Sequence, residues 1–227
     1  MLFRSEPGTS VNCYAVYRIG WKWDENKEPV LCNTIPLQQA ATNILGFHYE
    51  PIKPRIKHSY VFKNNLWEIG SWKYVVIATN STMECKFWTR EGWQIVINYL
   101  HELGYDVYNV SKEDNPFFNC TKIKDTSIEN TINIIKGANF FIGLSSGLSW
   151  LAWALGQKVV MISNFTEADH EFECYRVTKP DVCNSCWNDP NIKLDPYWLW
   201  CPKNKDFECQ RSIPATMVID KIKELLL

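Results

Sequence analysis

The chain has 227 residues, enough for one large domain or for one domain and part of a second. Its 24 basic residues balance 25 acidic ones, so charge offers no case for nucleic acid or a membrane surface as partner. No apolar run reaches signal-peptide or transmembrane length, which leads us to expect a cytoplasmic chain without a membrane span. The nine cysteines are an odd number, so one is left over in any fully disulfide-paired scheme, and reduced thiols fit that compartment better. Eleven tryptophans suit a dense aromatic interior, a sugar-binding surface or a subunit interface, and composition does not choose among them.

Taken in order, residues 1 to about 55 look unlike the rest. Asn12 to Trp23 alternates weakly, as a strand pair does, and Asp24 to Lys27 is a charged turn. Pro36 then starts a helix whose apolar face is Leu37, Ala40, Ala41 and Ile44 and which ends at Gly46. Pro51 and Pro54 mark a boundary. From Ile56 onward strands and helices alternate regularly. Ser59 to Phe62 and Tyr74 to Thr79 read as strands, the second apolar throughout as a central parallel strand is. Arg90 to Leu103 is an amphipathic helix with Trp93, Val96, Ile97 and Leu100 on one stripe, stopped by Gly104. A strand over Tyr105 to Val110 follows, then a helix from Ser127 to Ile135 with Ile128, Ile132 and Ile135 inward. Phe140 to Ile142 is a strand, Gly143-Leu144-Ser145-Ser146-Gly147 a loop, Leu148 to Leu155 a helix, and Val159 to Ile162 a strand. This rhythm predicts an α/β fold with a doubly wound parallel sheet. Beyond Phe165 a Cys-, Trp- and Pro-rich excursion interrupts it, and Pro214 to Leu227 closes as an amphipathic helix.

In such a sheet, ligands bind where the strands end at their carboxyl side. Three loops leave there. Ser145, Ser146 and Gly147 feed into a helix N-terminus, whose free N–H groups and positive dipole end suit a phosphate. A glycine-permitted turn with a serine cap explains the same residues equally well. The loop after Tyr74 to Thr79 carries Ser81, Thr82 and Lys86, where hydroxyls and a lysine point charge can meet a phosphate or simply cap a turn. The third, Ser111-Lys112-Glu113, places a carboxylate where ribose hydroxyls can donate to it. Together they indicate a nucleotide site more strongly than any one alone.

Cys183 and Cys186, a Cys-x-x-Cys pair, are followed by Cys201 and Cys209, a set able to present four sulfurs to zinc or iron. Disulfides and unrelated buried thiols are the alternatives. Cys13, Cys32, Cys85, Cys120 and Cys174 read as ordinary buried thiols, and His170 as part of a solvated loop.

The C-terminal two-thirds resembles the bacterial autotransporter heptosyltransferases, relatives of the lipopolysaccharide heptosyltransferases with the two-domain GT-B fold. The matching residues are Ser81-Thr82, Lys86-Phe87-Trp88, Gly92-Trp93, Ser111-Lys112-Glu113, Gly143 through Leu155, and Val160 through Thr166. Cys183-x-x-Cys186-Trp187-Asn188-Asp189, Trp198 through Pro202 and Phe207-Glu208-Cys209 complete them, with Pro36 to Gly46 similar to the end of that family's N-terminal domain. The resemblance implies a glycosyltransferase that moves heptose from ADP-heptose to serine hydroxyls of a protein acceptor. It implies that Lys86 with Ser145, Ser146 and Gly147 holds the diphosphate, that Glu113 lies near the ribose, and that the four late cysteines bind iron. It also implies a homo-oligomer, family members forming large rings. The expected division is residues 1–55 as a remnant of the acceptor-side domain and 56–227 as the donor domain, with 174–213 its metal finger. In place of the general family's Asp-Thr-Gly loop stands Gly-Leu-Ser-Ser-Gly, and no acidic residue here matches the family's catalytic aspartate. The alternatives are a non-catalytic nucleotide-sugar-binding or assembly module, and a metal-stabilised interaction protein.

Overall fold

A computed structural model describes residues 34–54, 56, 73–113, 116–192 and 199–227. The strands expected over 12–23 and 59–62, and Cys13, Cys32 and Trp198, lie outside the described residues. Six strands form one sheet: β1 (Tyr74–Ala78), β2 (Asp106–Asn109), β3 (Thr121–Lys122), β4 (Phe140–Leu144), β5 (Val159–Ile162) and β6 (Tyr175–Val177). Their order is β3-β2-β1-β4-β5-β6 and every pairing is parallel. The chain builds outward from β1 to β3, returns to the centre at β4, and then builds the other way. The reversal falls between β1 and β4, where Ala78 stands opposite Gly143, and this is where such sheets open a crevice for ligands.

Alternation along β1 explains the two cores. Val75 and Ile77 point to one face, where Trp93, Val96, Ile97 and Leu100 of α2 (Arg90–Glu102) meet Val218, Ile222 and Leu225 of α6 (Ala215–Leu226). Tyr74, Val76 and Ala78 point to the other, against Ile134 and Ile135 of α3 (Ile128–Gly137) and Ala152 of α4 (Gly147–Ala154). Each fully buried aliphatic or aromatic side chain contributes about 1.5–3 kcal/mol from burial, so strands covered on both faces need no polar alternation. The helix expected after Pro36 is α1 (Leu37–Ile44), and α5 (Glu208–Arg211) is a single turn. Gly104 ends α2 at φ +77°, which a residue with a Cβ adopts only with strain.

Two expectations change. Ile128 is 62% exposed, although Thr131 and Ile135 on the same stripe are buried. Ile132 is only half-buried, and Ile134 takes its place in the core, so the inward face is turned toward Thr131, Ile134 and Ile135. β4 also continues through Gly143 and Leu144, so the loop before α4 is shorter than the glycines suggested. Among the described residues no helix is long and apolar enough to cross a membrane.

Candidate functional site

The β4–α4 connection is shaped by close packing. A Cβ on Gly143 would lie 2.7 Å from both Phe141 Cε1 and Ser149 Oγ, so only glycine lets strand and helix approach this far. Ser149 Oγ donates to Leu144 O at 2.6 Å and fastens the helix to the strand it follows. Ser146 occupies the N-cap with extended backbone, yet its hydroxyl accepts no capping hydrogen bond. Ser146 Oγ is instead buried without a hydrogen-bond partner. The capping explanation therefore fails for this side chain, which is left polar and uncommitted beside the N–H groups of the first turn.

Lys86 reaches the same place from the neighbouring strand. Glu84–Lys86 forms a 3-10 turn pinned by buried Cys85. Lys86 Nζ donates to Ser145 O at 3.0 Å and lies 5.2 Å from the centre of the Phe165 ring. Burial pushes its pKa below the ordinary lysine value, opposed by the charges of Cys85 and Glu171. A desolvated ammonium thus stands at the positive end of a helix, a setting that favours an anion.

The structure hydrogen-bonds Lys86 to Ser145, next in the chain to Ser146 and Gly147, and among the described residues gives Lys86 no such bond with the other expected residues. Ser81 is half-buried and Thr82 exposed, and neither hydrogen-bonds Lys86 or the start of α4 among the described residues. Glu113 is exposed at the end of β2, where its backbone carbonyl accepts from Lys122 Nζ at 2.8 Å. Ser111 is committed to the sheet edge, accepting from Thr79 N at 2.7 Å.

A second layer beneath Lys86 was not expected from the sequence. Glu171, its side chain 2% exposed, accepts from Ser163 Oγ and Thr166 Oγ1 at 2.6 Å each and pairs with Arg176 at 3.1 Å. Arg176 also donates to Thr178 Oγ1 at 2.8 Å and to Thr166 O. These contacts fix the loop that carries Phe165. Gln210 closes the other side by donating to Lys86 O at 2.7 Å and accepting from Asn164 N at 3.1 Å. No periodicity announces such residues: Glu171 pairs with Arg176 from an irregular segment, and Gln210 meets partners 46 and 124 residues away.

The Cys-rich excursion is joined to this edge. Ser185 N donates to Asn164 O at 2.8 Å, and Trp187 N to Phe165 O at 3.1 Å. Cys186, Cys201 and Cys209 are buried and Cys183 half-buried. Burial pushes Cys209 up to about 12, reinforced by the neighbouring Cys183 and Cys186. Cys201 behaves oppositely. Burial would raise it, but the N–H groups of Lys205, Phe207 and Lys203 outweigh burial and hold it below the ordinary thiol value. The Lys205 N–H stands 3.3 Å from its sulfur. Four cysteines gathered in one excursion, one held below the ordinary thiol value, are suitable chemistry for a soft metal. Among the described residues no group of three or more His, Cys, Asp or Glu side chains itself stands in a metal-holding arrangement. Cys85 is a further thiol in the small core with Cys186 and Phe165.

His170 is not solvated as expected: its side chain is 5% exposed and lies against Asn188. It helps line a cavity of about 1100 Å³ between residues 38–54, Trp150, Trp153 and the segment before β6.

Residues 14–195 match the profile of glycosyltransferase family 9 (heptosyltransferase). The chain belongs to this family. The autotransporter heptosyltransferase BAHTCr of Citrobacter rodentium is 35% identical over 231 residues, covering 93% of this chain and 55% of that protein. An inactive autotransporter heptosyltransferase of Burkholderia thailandensis, BimC, is 29% identical over 231 residues, covering 93% of this chain and 53% of BimC. The crystal structure of TibC, an iron-containing dodecameric glycosyltransferase of enterotoxigenic Escherichia coli, superposes with a TM-score of 0.83 at 33% identity, covering 94% of this chain and 59% of TibC. The TibC complex with ADP-D-β-D-heptose superposes at 0.79. The chain spans a little over half the length of these relatives. The expected family and the parallel α/β fold are therefore both found.

Proposed function

We propose that this chain is the donor-binding half of a heptosyltransferase, with residues 56–227 holding an ADP-activated heptose and residues 1–55 belonging to the acceptor side. The observation that carries this reading is the hydrogen bond from the Lys86 ammonium to Ser145 O, one residue before the uncommitted Ser146 hydroxyl and the first turn of α4, at the sheet edge where β1 and β4 end. A diphosphate placed there accepts from the helix N–H groups and neutralises the desolvated lysine. As the sugar leaves the diphosphate for a serine hydroxyl of an autotransporter-like acceptor, negative charge grows on the phosphate oxygens. Lys86 and the α4 N-terminus are preorganised for that charge. Glu113 follows as the ribose contact and Ser81 and Thr82 as outer phosphate contacts, supported by their place at the same sheet edge. Glu171 is tied to Arg176, Ser163 and Thr166 and so is not free to act as general base.

Cys183, Cys186, Cys201 and Cys209 would hold iron, with zinc the alternative, and the ion would crosslink the excursion structurally. TibC's being iron-containing and dodecameric supports both this assignment and a homo-oligomer. Donor binding without transfer is the second reading, favoured by the similarity to the inactive BimC.

Calorimetry with ADP and ADP-heptose tests the proposal. Lys86→Met is expected to weaken ADP by roughly 10- to 150-fold, the worth of one charged hydrogen bond of about 1.5–3 kcal/mol. Absence of ADP binding, or an unchanged affinity in Lys86→Met, would overturn it. Hydrolysis or transfer of ADP-heptose separates the catalytic reading from the second one.

A further inference from the structure

We propose that Gln210 is a positioning residue for the phosphate site, its amide setting Lys86 and the Asn164–Thr166 loop in one register; this rests on the diphosphate reading above. Gln210 is 1% exposed and comes from the one-turn helix that closes the Cys-rich excursion. Its Nε2 donates to Lys86 O at 2.7 Å, 124 residues away, and its Oε1 accepts from Asn164 N at 3.1 Å. Asn164, equally buried, returns the connection: its Nδ2 donates to Cys209 O and its Oδ1 accepts from Lys179 N at 3.0 Å. Both bonds of Gln210 fall on main chain that decides where the Lys86 ammonium sits. One holds the turn from which the lysine side chain springs. The other holds the strand end leading to Phe165, the ring beside which Nζ rests. Two main-chain groups, half-buried Lys86 O and buried Asn164 N, bond to this one amide. Deleting it lets the turn and the loop part, because each then seeks water separately. The expected consequence is a lysine misplaced relative to the α4 N-terminus, with the adenosine end of the ligand unaffected.

The test is binding of ADP and of adenosine to Gln210→Ala and Gln210→Met, followed by NMR titration, each variant also made in the Lys86→Met background. Methionine keeps the volume but neither hydrogen bond, so it carries the test if alanine prevents folding. The expected result is that ADP weakens about tenfold while adenosine is unchanged, with no further loss when Lys86 is already methionine. Equal losses for ADP and adenosine, or additive losses in the double variants, would overturn the role of Gln210 while leaving the site intact. Failure of the unaltered protein to bind ADP would overturn both.

Discussion

Removing Glu171 tests whether the loop under Lys86 is held by a true buried ion pair. The carboxylate is 2% exposed, accepts two hydroxyl hydrogen bonds at 2.6 Å, and faces Arg176, itself 16% exposed. Truncating one partner of a buried pair costs about 3–5 kcal/mol, mainly because the other charge is left desolvated and unpaired. Arg176 keeps some exposure and retains Thr178 Oγ1 and the carbonyls of Ser163 and Thr166 as acceptors, so the low end applies. Glu171→Ala should then lose about 3 kcal/mol in urea denaturation with an unchanged slope. At this chain length that lowers Tm by about 6–12 °C. Glu171→Ala combined with Arg176→Met should recover roughly half the loss, since no orphaned charge remains. A loss under about 1 kcal/mol, or simple additivity of the two single changes, would refute the buried-pair account.

Gly143→Ala drives a methyl to 2.7 Å from Phe141 and Ser149 and should cost about 1–3 kcal/mol by overpacking; a neutral urea midpoint would show that strand and helix can separate. ADP binding should weaken as pH rises through the depressed Lys86 pKa, beginning below the ordinary lysine value of about 10.4, because the diphosphate selects the protonated amine. Calorimetry in buffers of different ionisation heat should accordingly record proton uptake on alkaline binding, and uptake that persists in Lys86→Met would refute the assignment. The protein produced with iron should carry about one ion per chain by elemental analysis, and Cys186→Ser should lose the ion and lower Tm. Full iron retention in that variant would remove Cys186 from the ligand set.

Parts of this fold were legible because burial on both sheet faces leaves a plain trace. Tyr74–Ala78 and Val159–Ile162 are unbroken apolar runs of strand length, and both lie in the sheet interior. β3, only Thr121 and Lys122, and β6, with Arg176 at its centre, carry no comparable signature. Short edge strands are completed by pairing rather than by their own pattern. The meeting of Lys86 with Ser145 followed from topology, since loops leaving adjacent parallel strands share an edge. What escaped was the scaffold behind it. Glu171, Arg176, Asn164 and Gln210 look in sequence like ordinary surface polar residues, and only tertiary folding reveals that Glu171 pairs with Arg176 and Asn164 with Gln210.

The tether between Lys86 and the far end of the chain has a consequence for biosynthesis. Trp88 Nε1 donates to Ile213 O at 2.9 Å just beyond the bond from Gln210, so the lysine turn is anchored twice by residues 210–213. A nascent chain emerging from the ribosome can pair β1 through β6 before those anchors exist. The proposed phosphate grip would form only once residues 210–213 have emerged.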